Sequence, residues 1–179
     1  MPTGRLRHGW LLAGVCFSWC LMQSELKSTW STDDYDEMSW HDNHVHGIRI
    51  LEGEHGSGEL ILDLDYILEW LPPVDGGHLR FRVAPATLIF HEVSATSLRI
   101  ALDYAKSSAA ISPFSLHAIE RENHVYPNGY KTFKWHLKIN WPEGAIDFIA
   151  AGFTQVLSGK PIESEGQWLS PSERMVPSS

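Results

Sequence analysis

The sequence predicts an all-β fold: an antiparallel meander of seven or eight strands, forming a sandwich or a partly open barrel. Three observations carry that expectation. Apolar residues recur at every second position over long stretches, the period of a half-buried strand and not of a helix. Gly, Pro, Asn and Asp cluster between those stretches as turn chemistry. No long helical pattern alternates with the strands, which sets aside a doubly wound α/β sheet.

Residues 1–37 stand apart from the rest. Arg5, Arg7 and His8 precede an apolar run from Gly9 to Met22, and a polar stretch follows to Glu37. A basic start before a short apolar run is the outline of a secretory signal. The run carries Cys16, Ser18 and Cys20, however, and no Ala-x-Ala site follows. It is also shorter than the roughly 20 residues that a bilayer span needs. Two readings stay open. Residues 9–22 are a signal or anchor, with an exported protein and a membrane contact; or residues 1–37 are a disordered extension ahead of a cytoplasmic chain that starts at Met38. The second is preferred, because the regular patterning begins there. A single all-β domain is then expected over residues 38–160, and a flexible tail rich in Ser, Pro and Glu over residues 161–179.

The strands follow in order. Val45 opens the first. In Glu59 to Trp70, Leu60, Leu62, Leu64, Tyr66, Leu68 and Trp70 share one face, and Asp63, Asp65 and Glu69 the other. Pro72-Pro73 ends it and Asp75-Gly76-Gly77 turns the chain. His78 to Val83 sets Leu79, Phe81 and Val83 against Arg80 and Arg82. Thr87 to Val93 and Leu98 to Leu102 read as two further strands. Tyr104 to Ile111 reads as a helical turn or a loop. Phe114 to Glu122 is followed by Pro127-Asn128-Gly129, a hairpin signal. Tyr130 to Trp141 then places Phe133, Trp135, Leu137, Ile139 and Trp141 on one face, with Lys134, His136 and Lys138 on the other. After Pro142-Glu143-Gly144, Ala145 to Ala151 turns Ile146 and Phe148 inward. Asp63 and Asp65 are expected to pair across strands with Arg80 and Arg82, as opposite charges stabilise a sheet face.

Composition narrows the function classes. The 179 residues carry a formal net charge of −8, which argues against nucleic acid as the main partner, since phosphate binding needs a positive field. Eight tryptophans are available for core or contact surface. Both cysteines lie in the N-terminal segment, so the predicted domain offers no thiolate nucleophile and no cysteine-based metal site. No P-loop, dinucleotide fingerprint or nucleophile elbow appears, and no cofactor is implied.

One segment concentrates chemistry. In "WHDNHVHGIRI", Trp40, His41, Asp42, His44, His46 and Arg49 crowd the start of a strand. His44 and His46 are two apart and share a face, so they are weak metal-ligand candidates. Zinc asks for three or four converging ligands, and no second set is evident. Asp42 and Asn43 also suit a plain turn. The candidate binding residues are Trp40, His41, Asp42, His44, His46 and Arg49, joined by Asp63 and Asp65 from the next strand.

The stretches "WHDNHVHGIRI", "GELILDLDYILEW", "FRVAPATLIFHEV" and "GFTQVLSGKPIESEGQWLSPSER" resemble a group of small, mostly bacterial proteins without assigned function that open on a Trp-His-Asp segment. The likeness covers about residues 38–174. The opening is also similar, more loosely, to toxin-immunity families, and that likeness implies a small protein that blocks a toxin enzyme. It carries no residue roles. The expected function is therefore a non-enzymatic binding protein, with another protein as a partner. The alternative is a metal-assisted, hydrolase-like enzyme using His41 to His46 with Asp63 or Asp65.

Overall fold

The computed structural model describes residues 27–53, 57–74, 76–102 (backbone alone from 95) and 113–175. They form one antiparallel sheet that curls into a ring-like, partly closed barrel. The strands are β1 (Thr29–Ser31), β2 (His44–Glu52), β3 (Gly58–Leu71), β4 (Arg80–Leu102), β5 (Phe114–Val125), β6 (Lys131–Trp141), β7 (Gly144–Ala150), β8 (Gly152–Leu157) and β9 (Ile162–Ser164). A 3-10 helix covers Thr32–Glu37, and a single helical turn, α1, covers Pro171–Arg174. No described helix is long and apolar enough to cross a membrane.

The ring runs β2–β3–β4–β7–β6–β5 and returns to β2. Its backbone is β4. Three segments that read as separate strands join into one strand of 23 residues. One edge of β4 takes β3, from Gly58↔Val93 to Leu71↔Arg80. The other edge takes β7, β8 and β9 in succession, from Leu102↔Gly144 to Phe81↔Ser164. Pro85 does not break the strand because it sits where β8 has ended and β9 has not begun. Its carbonyl accepts the Ser158 N–H on that edge, so the missing donor costs no ladder bond. The meander is not followed throughout: β5 pairs with β2 and β6, not with β4, and β7, β8 and β9 line up along β4 instead of pairing with one another.

The alternation read from the sequence fills the barrel. Leu60, Leu62, Leu64, Leu88, Phe90, Leu116, Trp135, Leu137, Ile146 and Phe148 are buried in one cluster. A smaller cluster of Ile67, Phe81, Val83 and Leu169 lies on the opposite face of β3 and β4. A register shift between Ile67 and Glu69 makes Leu68 an extra residue in β3. This bulge moves Trp70 out of the predicted leucine face and against Phe81, at a ring-centroid distance of 5.0 Å.

Two boundaries differ from expectation. The domain does not begin at Met38. Trp30 of β1 is buried against Tyr66, and β1 pairs with β8 through Trp30↔Gln155. The Tyr35 hydroxyl donates to the Ile119 carbonyl over 2.7 Å, so the 3-10 helix closes against β5. The sequence sign of this is the pair of aromatic residues, Trp30 and Tyr35, set in a polar stretch. Nor are residues 161–175 a loose tail: β9 pairs with β4 and Leu169 is 1% exposed. Residues 1–26, Tyr104 to Ile111 and the last four residues lie outside the described chain.

Candidate functional site

The segment Trp40 to His46 folds as a turn and a bulge, and each sends side chains to a different place. Trp40 is buried. Its indole N–H donates to Gln155 Oε1 at 2.9 Å, so this candidate belongs to the core. The Asn43 N–H donates to the Trp40 carbonyl and closes a turn over His41 and Asp42. Asp42 has φ 62°, a left-handed conformation that Asp tolerates better than most residues. Asn43 is fully buried, and its Oδ1 accepts the Ile67 N–H at 3.2 Å, the donor beside the β3 bulge.

Asp42 is the hub of a polar corner. Its carboxylate accepts from Gln167 Nε2 at 2.9 Å and from Asn140 Nδ2 at 3.4 Å, and lies 3.1 Å from His41 Nδ1. Three distant parts of the chain meet there: the turn before β2, the end of β6 and the C-terminal segment. Two half-exposed indoles lie against histidines of the same segment. Trp70 (46% exposed) lies 6.3 Å from the His41 ring, and Trp168 (56% exposed) follows Gln167 and lies 5.7 Å from His44. On the other side of His41, His117 approaches to 5.2 Å, beside a cleft of about 280 Å³ lined by Tyr35, Trp40, His41 and His117.

His46 goes elsewhere. The register shift between Val45 and Gly47 makes it the extra residue of a β-bulge and aims it at β3. Its Nε2 lies 2.8 Å from Asp65 Oδ2. Asp65 is 0% exposed. The same oxygen accepts the Leu169 N–H at 2.8 Å, and Oδ1 pairs with the Arg174 guanidinium. The other arm of Arg174 pairs with Asp63. Burial alone would raise the Asp65 carboxyl, but the bonds from His46 and Leu169 and the Arg174 charge outweigh it and hold it below its ordinary value. His44 packs edge-on to His46, at 4.7 Å between ring centroids. Burial, then the neighbouring His46 and Arg174 charges, push its pKa down against the opposing pull of Asp65.

The expected cross-strand pairs are therefore replaced. Asp63 and Asp65 stand opposite Thr87 and Pro85 in register. They are neutralised by Arg174, while Arg82 pairs with Glu69 and Arg80 with Glu163. Arg49 is exposed further along β2, opposite Ile61, away from the corner. Among the described residues no three His, Cys, Asp or Glu side chains converge as a metal set. The adjacent rings of His44 and His46 are met by a carboxylate whose two oxygens already take protein donors.

Sequence reading missed Asn140, Gln167, Trp168, Leu169 and Arg174. One signal was present. Ser170-Pro171-Ser172-Glu173 is a capping box with proline at the first helical position, and the structure shows both of its reciprocal bonds. A capped turn just after a Trp-Leu pair marks an ordered strap.

Comparison with family models, curated proteins and solved structures finds no match for this chain.

Proposed function

We propose that this chain is a non-enzymatic binding protein that recognises another protein through the face between Trp70 and Trp168, with His41 and Asp42 at its centre. The observation that carries the reading is the contrast among tryptophans. Trp30, Trp40 and Trp135 are buried in the barrel, yet Trp70, Trp141 and Trp168 stand about half-exposed, with Trp70 beside the His41 ring and Trp168 beside the His44 ring. Trp141, next to Asn140, departs from the inward face that the alternation assigns it. Exposed aromatics around a fixed polar group are the composition of an interface core rather than of ordinary surface. The loose sequence resemblance of the Trp-His-Asp opening to toxin-immunity families would make that partner a toxin enzyme.

The test is capture from native lysate with two baits, the wild-type chain and W70A/W168A. A stoichiometric partner held by the first and lost by the second supports the reading. Equal capture by both places the interface elsewhere and overturns it.

One observation favours the alternative: His46 and buried Asp65 stand 2.8 Å apart, as in a histidine–carboxylate pair that moves protons. It is weakened by the engagement of both Asp65 oxygens with Leu169 and Arg174, which suits a fastening better than a base. An H46Q variant that loses a turnover measurable in wild type would restore it.

A further inference from the structure

The polar corner has a definite chemical preference. Asp42 carries a formal negative charge, and among the described ion pairs its only partner is His41. The other two groups that reach it, Asn140 and Gln167, are neutral amides. Each spends an N–H on the carboxylate and brings no charge to it. The nearest guanidinium of the strap, Arg174, is committed to Asp63 and Asp65. So the corner gathers a carboxylate and two neutral amide groups, and no lysine or arginine joins it among the described ion pairs. The Trp70 and Trp168 indoles lie beside the rings of His41 and His44, the neighbours of this corner in the chain, and an indole face attracts cations through its quadrupole. Asp42 itself is held in the left-handed region and anchored by its N–H on the Leu116 carbonyl, so the carboxylate is fixed in place before any ligand arrives.

We infer that this corner takes a basic side chain, a guanidinium or ammonium group presented by the protein partner, between Trp70 and Trp168 and against Asp42. The inference rests on the binding-face reading above and adds the charge of what is bound. The whole chain, at a net −8, would draw a basic partner surface in the same sense.

The probe is N-acetyl-arginine amide, with N-acetyl-citrulline amide as its neutral, near-isosteric control and methyl glucoside as a polyol control. Binding is followed on the indole N–H resonances of the 15N-labelled chain. The expected result is saturable movement of the Trp70 and Trp168 signals by the arginine probe, at least ten-fold tighter than by either control. D42N removes the charge and keeps a residue that accepts the left-handed turn, and a melting curve checks that it folds. It should weaken the arginine probe at least ten-fold. Equal binding of citrulline, equal binding of methyl glucoside, or unchanged affinity in D42N overturns the inference. The two readings separate in the capture experiment. A partner lost by W70A/W168A but kept by D42N leaves the binding face standing and removes the cation. A partner kept by both removes the face itself.

Discussion

Replacing Asp65 with Asn tests how the strap of residues 165–175 is fastened. The substitution keeps volume and shape and removes one buried charge. Asn can still accept the Leu169 N–H, but its amide then turns a donor toward the Arg174 guanidinium. Breaking a buried ion pair from one side costs about 3–5 kcal/mol when the remaining charge is stranded. Arg174 is not stranded: its side chain is 16% exposed and it keeps Asp63. The expected loss is therefore about 2–3 kcal/mol, near the value of one or two hydrogen bonds to a charged group. In urea unfolding this appears as a lower midpoint with an unchanged slope. D65N, R174M and the double variant form a cycle, and a coupling above about 1 kcal/mol is expected for residues in direct contact. Hydrogen exchange at the Leu169 amide should rise in D65N. A D65N variant within about 0.5 kcal/mol of wild type, or strictly additive effects, refutes the claim that Asp65 pins the strap.

Other predictions follow from the same contacts. In G152A the new Cβ would lie 2.2 Å from Thr32 Oγ1, which already accepts the Phe153 N–H at 2.7 Å, so a loss of about 1–3 kcal/mol is expected by urea unfolding, partly recovered in G152A/T32A. W135A empties a fully enclosed site and should cost about 3–5 kcal/mol, with broadened core methyl resonances in proton spectra. Acidification should act in two windows. His44 has a depressed pKa when folded, so the unfolded chain binds the proton first and stability falls as pH drops below about 6.5. Asp65 is depressed as well, so its contribution is present above about 3.9 and is lost as pH falls through the lower folded value. Midpoints measured from pH 7 to 3 should show both, with H44Q flattening the upper window alone.

Legibility differed between fold and site for physical reasons. Leu60, Leu62 and Leu64, or Trp135, Leu137 and Ile139, reveal their strands because a period of two is local and is enforced by burial on one face. The partner of an aspartate is not local. Asp63 and Asp65 were visible as a pair, but their cation sits about 110 positions later, on a turn whose own sequence is Ser-, Pro- and Glu-rich. The His44 and His46 rings do lie side by side, at 4.7 Å, although a bulge interrupts the strand between Val45 and Gly47. Their surroundings were not readable, because a bulge aims His46 at Asp65 and bulges leave little trace in the pattern. Trp70 was misplaced for the same reason: one extra residue at Leu68 moves it to the other face. Asp42 was singled out in a segment that suits a turn, and it does sit in one. Its role as a hub depends on Asn140 and Gln167, which β6 and the strap deliver from 98 and 125 positions further along the chain.

The central claim is that the His41–Asp42 corner between Trp70 and Trp168 is the contact surface. The most direct test is the affinity of the captured partner for wild type, for W70A/W168A and for I50S/V125S, a control at exposed apolar positions on the distal halves of β2 and β5. Two interface tryptophans at about 2 kcal/mol each predict a loss on the order of several hundred-fold for the first variant and less than three-fold for the control. Equal losses in both variants, or none in W70A/W168A, would contradict it.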